Sequence, residues 1–116
     1  MNRTEFIRRL VLNEISDDWE NIDQIILPEA VDAGAKCGYA IERADVVEAL
    51  STIVRDGLAR AAILSSREPF VTDLPSMPPV SLVEENFSTY FYITPKGMDL
   101  HLSDDSWWPF QDEQDA

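Results

Sequence analysis

Hydrophobic and polar positions are patterned most strongly between residues 42 and 64. From Glu42 the apolar residues Val46, Val47, Leu50, Ile53 and Val54 recur at helical offsets, which predicts a helix with one buried stripe. Glu42, Arg43, Asp45, Glu48, Thr52, Arg55 and Asp56 fill its other positions. Glu42 and Asp45 near the start and Arg55 near the end suit the helix dipole, whereas Asp56 opposes it. Gly57 is the expected left-handed cap, because a residue without Cβ meets no steric penalty there, and Leu58 is expected to fold back over the last turn. Ala59-Arg60-Ala61-Ala62-Ile63-Leu64 then leaves as a strand, although alanine is a weak strand former.

Upstream, Thr4 can cap a first helix over residues 5–13, with Phe6, Ile7, Leu10 and Val11 on one face. Ser16-Asp17-Asp18 is the next start signal, and Trp19, Ile22, Ile25 and Ile26 follow at helical spacing. Pro28 either kinks that helix or, fitting the chain better, sits in the first turn of another. Residues 29–36 then make a short alanine-rich helix bounded by Gly34 and Gly38, and Tyr39-Ala40-Ile41 is extended, as a short strand or simply the turn.

Residues 65–88 contain Pro69, Pro75, Pro78 and Pro79 and far exceed a simple hairpin loop of about two to five residues. The prolines favour stiff, extended backbone over another helix, and Val80-Ser81-Leu82-Val83 offers one strand pairing. Two readings stand open: a connecting surface loop or a binding loop. Tyr90-Phe91-Tyr92-Ile93 is the next strand, with Thr94 as helix cap and Pro95 at the first helical position. Met98, Leu100 and Leu102 then form a short final turn or an extended tail. The expected core is Phe6, Leu10, Ile22, Ile26, Val46, Leu50, Ile53, Leu58, Ile63, Phe91 and Ile93.

Val46-Val47-Glu48-Ala49-Leu50 with Ile53-Val54-Arg55-Asp56-Gly57-Leu58-Ala59, and Tyr92-Ile93-Thr94-Pro95-Lys96-Gly97 downstream, resemble the winged helix-turn-helix superfamily as found in bacterial regulators. The resemblance spans residues 3–102 in element order and is sharpest at 46–59 and 90–97. It implies an α+β, mainly α fold: one winged-helix domain over residues 1–102, with a two-stranded wing, a long proline-rich wing loop, and an acidic aromatic tail at 103–116. Residues 29–36 would be the positioning helix and 43–56 the docking helix. Such a helix ordinarily enters the DNA major groove, with basic residues meeting phosphates and guanines.

Charge alters that expectation. Nine basic against 22 acidic residues leave a net charge of −13, which repels polyanions and makes nucleic acid and anionic membranes poor general partners. The docking segment carries Arg43 and Arg55 against four acids, and acids at such an interface repel the phosphate backbone. A patch of Arg3, Arg8, Arg9, Arg43 and Lys96 would restore a DNA-binding transcriptional regulator using helix 43–56 and the wing. The favoured reading is a non-enzymatic module that mediates protein–protein interaction in a regulatory or accessory role. Its partner would be a protein of basic surface or a second copy in a homodimer, with no cofactor. The candidate face comprises Arg43, Asp45, Glu48, Thr52 and Arg55, joined by Trp107, Trp108 and Phe110 of the tail. Those tail aromatics either fold back over the domain's own core or form an interface with another chain.

Candidate chemistry is sparse. His101 with Asp99 would be a minimal metal site, set against a surface histidine among solvated acids. Cys37 has no nearby histidine to activate it, which favours a small buried thiol over a nucleophile. No glycine-rich phosphate loop occurs. The single cysteine, a glutamate ahead of any apolar run at the amino terminus, and no run near the roughly 20 apolar residues that span a bilayer together predict a cytoplasmic protein.

Overall fold

The computed structural model describes residues 2–78 and 89–103. Helix α1, Arg3–Glu14, is capped by Asn2, whose side chain accepts from the Glu5 amide at 2.8 Å. Thr4 is therefore inside the first turn; asparagine is the stronger cap and precedes it. Phe6, Ile7, Leu10 and Val11 are buried as expected, and Leu12 and Ile15 join them.

The helix expected after Ser16 does not begin there. Residues 17–21 are not helical, and Glu20 instead forms an antiparallel bridge with Phe91. Asn21 starts the helical structure, its side-chain oxygen accepting from the Gln24 amide at 2.8 Å. That cap, beyond the predicted Ser16-Asp17-Asp18 signal, leaves Trp19 37% and Ile25 40% exposed while Ile22 and Ile26 are buried. Ile22–Ile26 is a π-helical turn that runs straight into α2, Leu27–Lys36, with Pro28 in its first turn. The widening lies just ahead of Pro28, which cannot donate a helical hydrogen bond and crowds the carbonyl four residues back. Helix α2 stops at Gly38, at φ +83°, where Tyr39 N–H donates to the Gly34 carbonyl at 2.8 Å. Residues 39–41 are the turn to α3 and form no strand.

Helix α3, Arg43–Arg55, buries Val46, Val47, Ala49, Leu50 and Ile53. Asp45 turns back to accept from the Glu42 amide at 2.9 Å, as a capping-box carboxylate does. Its other end follows the expectation closely. Gly57 has φ +77°, Leu58 N–H donates to the Ile53 carbonyl at 2.8 Å, and the Leu58 side chain is buried.

Three strands follow: β1 (Ala59–Leu64), β2 (Val71–Leu74) and β3 (Thr89–Ile93). They form an antiparallel sheet of order β2-β1-β3, so the expected two-stranded wing is a three-stranded sheet with β1 at its centre. β2 lies inside the stretch read as a proline-rich loop. Pro69 and Pro75 bracket it without entering it, and Val71 and Thr72 are β-branched, so four residues remain free to pair. Residues 80–83, the strand pairing offered by the sequence, lie outside the described residues. On the inner face Ala61 pairs directly with Phe91, the small residue making room for a ring that is fully buried. Ile63 and Ile93, expected in the core, stand toward the ends of their strands and are only partly buried.

Thr94 caps α4, Pro95–Ser103, by accepting from the Gly97 amide at 3.0 Å. Its hydroxyl also donates to the Gly57 carbonyl at 2.6 Å, and Lys96 Nζ reaches the Asp56 carbonyl at 2.8 Å. The start of α4 is thereby fastened to the end of α3. The protein is thus α+β and mainly helical, and among the described residues no helix is long and apolar enough to cross a membrane.

Candidate interaction surface

The predicted face on α3 is only partly open. Arg43 forks onto Asp23, Nε to Oδ1 at 2.8 Å and an Nη to Oδ2 at 3.1 Å. Asp45 holds Arg3 at 3.0 Å, and Arg3 also donates to the Ala40 carbonyl at 2.9 Å. Arg3 and the Glu42 amide keep the Asp45 carboxyl below its ordinary pKa. Thr52 is half-buried, its hydroxyl donating to the Glu48 carbonyl at 2.9 Å, and of the five helix positions only Glu48 and Arg55 are exposed. Beside the candidate face lies α1, so that Arg3, Thr4, Ile7 and Arg8 line a groove with Asp45, Glu48 and Thr52. Residues 107, 108 and 110, the tail part of the candidate face, lie outside the described residues.

The basic patch that would have served DNA does not assemble freely. Arg8 binds Asp56 at 2.7 Å and Glu5 at 3.4 Å, and Arg55 meets Asp56 at 3.2 Å. Arg9 is buried and donates to the Leu100 carbonyl at 3.3 Å. With Arg3 on Asp45, Arg43 on Asp23 and Lys96 on a carbonyl, each cation of the supposed patch is spoken for.

A second surface escaped sequence reasoning. The Trp19 indole stacks on the Tyr92 ring, centroids 4.3 Å apart and planes within 10°. Tyr92 lies on the outer sheet face, where its hydroxyl donates to Asp73 Oδ1 at 2.8 Å while Arg60 Nε donates to Asp73 Oδ2 at 3.0 Å. A cross-strand row thus joins all three strands behind the stack. An open concavity, lined by Ile15, Asp17, Asp18, Trp19, Tyr92 and Ile93 among others, lies beside it. Acids crowd this end of the molecule. Burial first, then Glu29, Glu20 and Asp17, push the Glu14 carboxyl up to about 7. Burial, then Asp18, Asp17 and Glu29, raise Glu20. The alternation of Tyr90, Phe91 and Tyr92 was a usable signal, since period two turns the tyrosines outward when Phe91 is buried. Nothing local to Trp19 announced its partner.

His101 is not a solvated surface side chain. It is half-buried at the end of α4, and burial, then the charge of Arg9, lower its pKa, with Asp17 opposing. Its Nδ1 is buried without a hydrogen-bond partner among the described residues. Cys37 is half-buried rather than fully buried, packs against the core, and has its thiol pKa raised by burial. Among the described residues no three histidine, cysteine or acidic side chains are grouped to hold a metal ion. No protein-family model, no curated protein and no solved structure matches the chain.

Proposed function

We propose that this chain is a non-enzymatic winged-helix module of regulatory or accessory type that works by binding another protein. The order α1, α2, α3, then paired strands β1 and β3 with α4 behind them, supports the winged-helix reading, β2 being an addition within the wing. The observation that carries the choice of partner is the engagement of the arginines along α1 and α3 by carboxylates: Arg3 by Asp45, Arg8 by Asp56 and Arg43 by Asp23. A phosphate backbone would have to displace those carboxylates and then approach a chain of charge −13. A basic protein surface meets no such barrier and is drawn in by the same field. Titrating labelled mixed-sequence duplex DNA at low salt tests the choice. No saturable binding is expected; binding that weakens steeply as salt rises would overturn it in favour of a DNA reader using α3 and the wing.

A further inference from the structure

We propose that the concavity beside the Trp19–Tyr92 stack is the docking site of the basic protein partner, and that it takes an arginine side chain of that partner. The inference rests on the protein-binding reading above and assigns it a place and a chemistry. Trp19 keeps 37% of its surface open even though one ring face is spent on Tyr92. A stacked, half-exposed indole is a firm flat platform, and a guanidinium is the cation whose planar shape and weak hydration suit it best. Asp17 and Asp18 line the same concavity, are exposed, and can accept the forked donors of that guanidinium.

The charges around the site favour such an occupant. Glu14, Asp17, Asp18, Glu20 and Glu29 lie close enough to repel one another, a repulsion that a bound cation relieves. Among the described residues, the cations on the elements around the stack are committed. Arg60 is paired with Asp73 across the sheet, Arg9 donates to the Leu100 carbonyl, and His101 is held toward its neutral form by burial. Tyr92 is itself fixed through Asp73, so the platform is set before the partner arrives and little ordering cost is left for binding.

Fluorescence anisotropy of a labelled arginine-rich peptide on the intact chain, at low salt, is the test. The wild type is expected to bind saturably. Trp19→Ala should weaken binding by about tenfold, as loss of a cation–π platform does. Asp17→Asn combined with Asp18→Asn alters only exposed positions and should weaken it comparably, whereas Trp19→Phe retains a ring and most of the binding. Glu68→Gln, exposed in the β1–β2 connection at the other end of the sheet from Tyr92, should leave it unchanged. Equal binding by wild type and Trp19→Ala overturns the site while leaving the protein-binding reading in place; duplex DNA binding in the separate titration is what removes that reading. A lysine peptide bound as tightly as the arginine peptide overturns the guanidinium assignment. Self-association of the wild type that Trp19→Ala abolishes makes the occupant a second copy and likewise overturns the proposal.

Discussion

Glu20 and Phe91 exchange both of their backbone hydrogen bonds, at 3.0 and 2.8 Å, although the whole α2–α3–β1–β2 region lies between them in sequence. The exchange makes the segment after α1 an extended border to β3, and it sets Trp19 beside Tyr92 because each is the chain neighbour of a bridged residue. Phe91 is thus packed as core and also aligns the candidate docking surface. Phe91→Ala should cost about 3–5 kcal/mol, the usual loss for a fully buried ring. Urea denaturation checks it, and the tryptophan fluorescence of the folded variant should shift as Trp19 loses its alignment.

Gly97 shows two effects in competition. Alanine is better than glycine inside a helix by about 1 kcal/mol, so Gly97→Ala would stabilise an isolated α4. Here, however, an added Cβ would overlap the Leu58 carbonyl and stand 2.8 Å from Ile93 Cγ1. Backbone cannot yield as a side-chain tip does, so overpacking wins and a net loss of about 1–3 kcal/mol is expected. A fall in the urea midpoint at unchanged slope would establish it; a rise would show that α4 can lift from the α3–β1 junction at little cost.

The pair Arg8–Asp56, at 2.7 Å, ties α1 to the end of α3 and is partly shielded, with side-chain exposures of 22% and 36%. A double-mutant cycle with Arg8→Ala and Asp56→Ala should give a coupling of about 1 kcal/mol, at the upper end for partly exposed pairs. That coupling should shrink in high salt. Arg3–Asp45, more open on the arginine side at 44%, should couple less in the same experiment.

What could be read ahead of the structure was local. The stripe of α3, the glycine stop with Leu58 folding back, and the Thr94-Pro95 start of α4 are each complete within a few residues, so sequence spacing describes them fully. The start of the helix expected after Ser16 failed because Asp17 and Asp18 are as good a cap signal as Asn21, and only the pairing of Glu20 with distant Phe91 decides between them. Strand β2 was hidden because the prolines marked 65–88 as an extended loop and the pairing offered there was placed at 80–83, whereas Pro69 and Pro75 only bound a strand at Val71–Leu74. The candidate face suffered most. A helical wheel shows which residues leave the core, but not that Arg3 from α1 and Asp23 from the π-helical turn come to lie against Asp45 and Arg43.

Glu14 provides the pH signature of the acidic end. Its carboxyl is pushed from an ordinary 4.5 up to about 7 by burial and by Glu29, Glu20 and Asp17, so the folded chain holds that proton more tightly than the unfolded chain. Between these values the folded state carries the extra proton, and stability therefore falls as pH rises through the window. The contribution is fully present below about 4.5 and gone above about 7. At about 1.4 kcal/mol per unit the full shift would amount to about 3 kcal/mol, but partial solvent access reduces this to about 1–2 kcal/mol. Glu14→Gln removes the half-buried charge and should stabilise the fold by that amount at pH 8, with no gain at pH 4. Chemical denaturation of both chains across the range reads the difference, which cancels the opposite acid-side loss from Asp45 and Asp73, whose carboxyls are lowered. A difference that is flat with pH would mean that Glu14 is solvated and that the acids at this end do not press on one another.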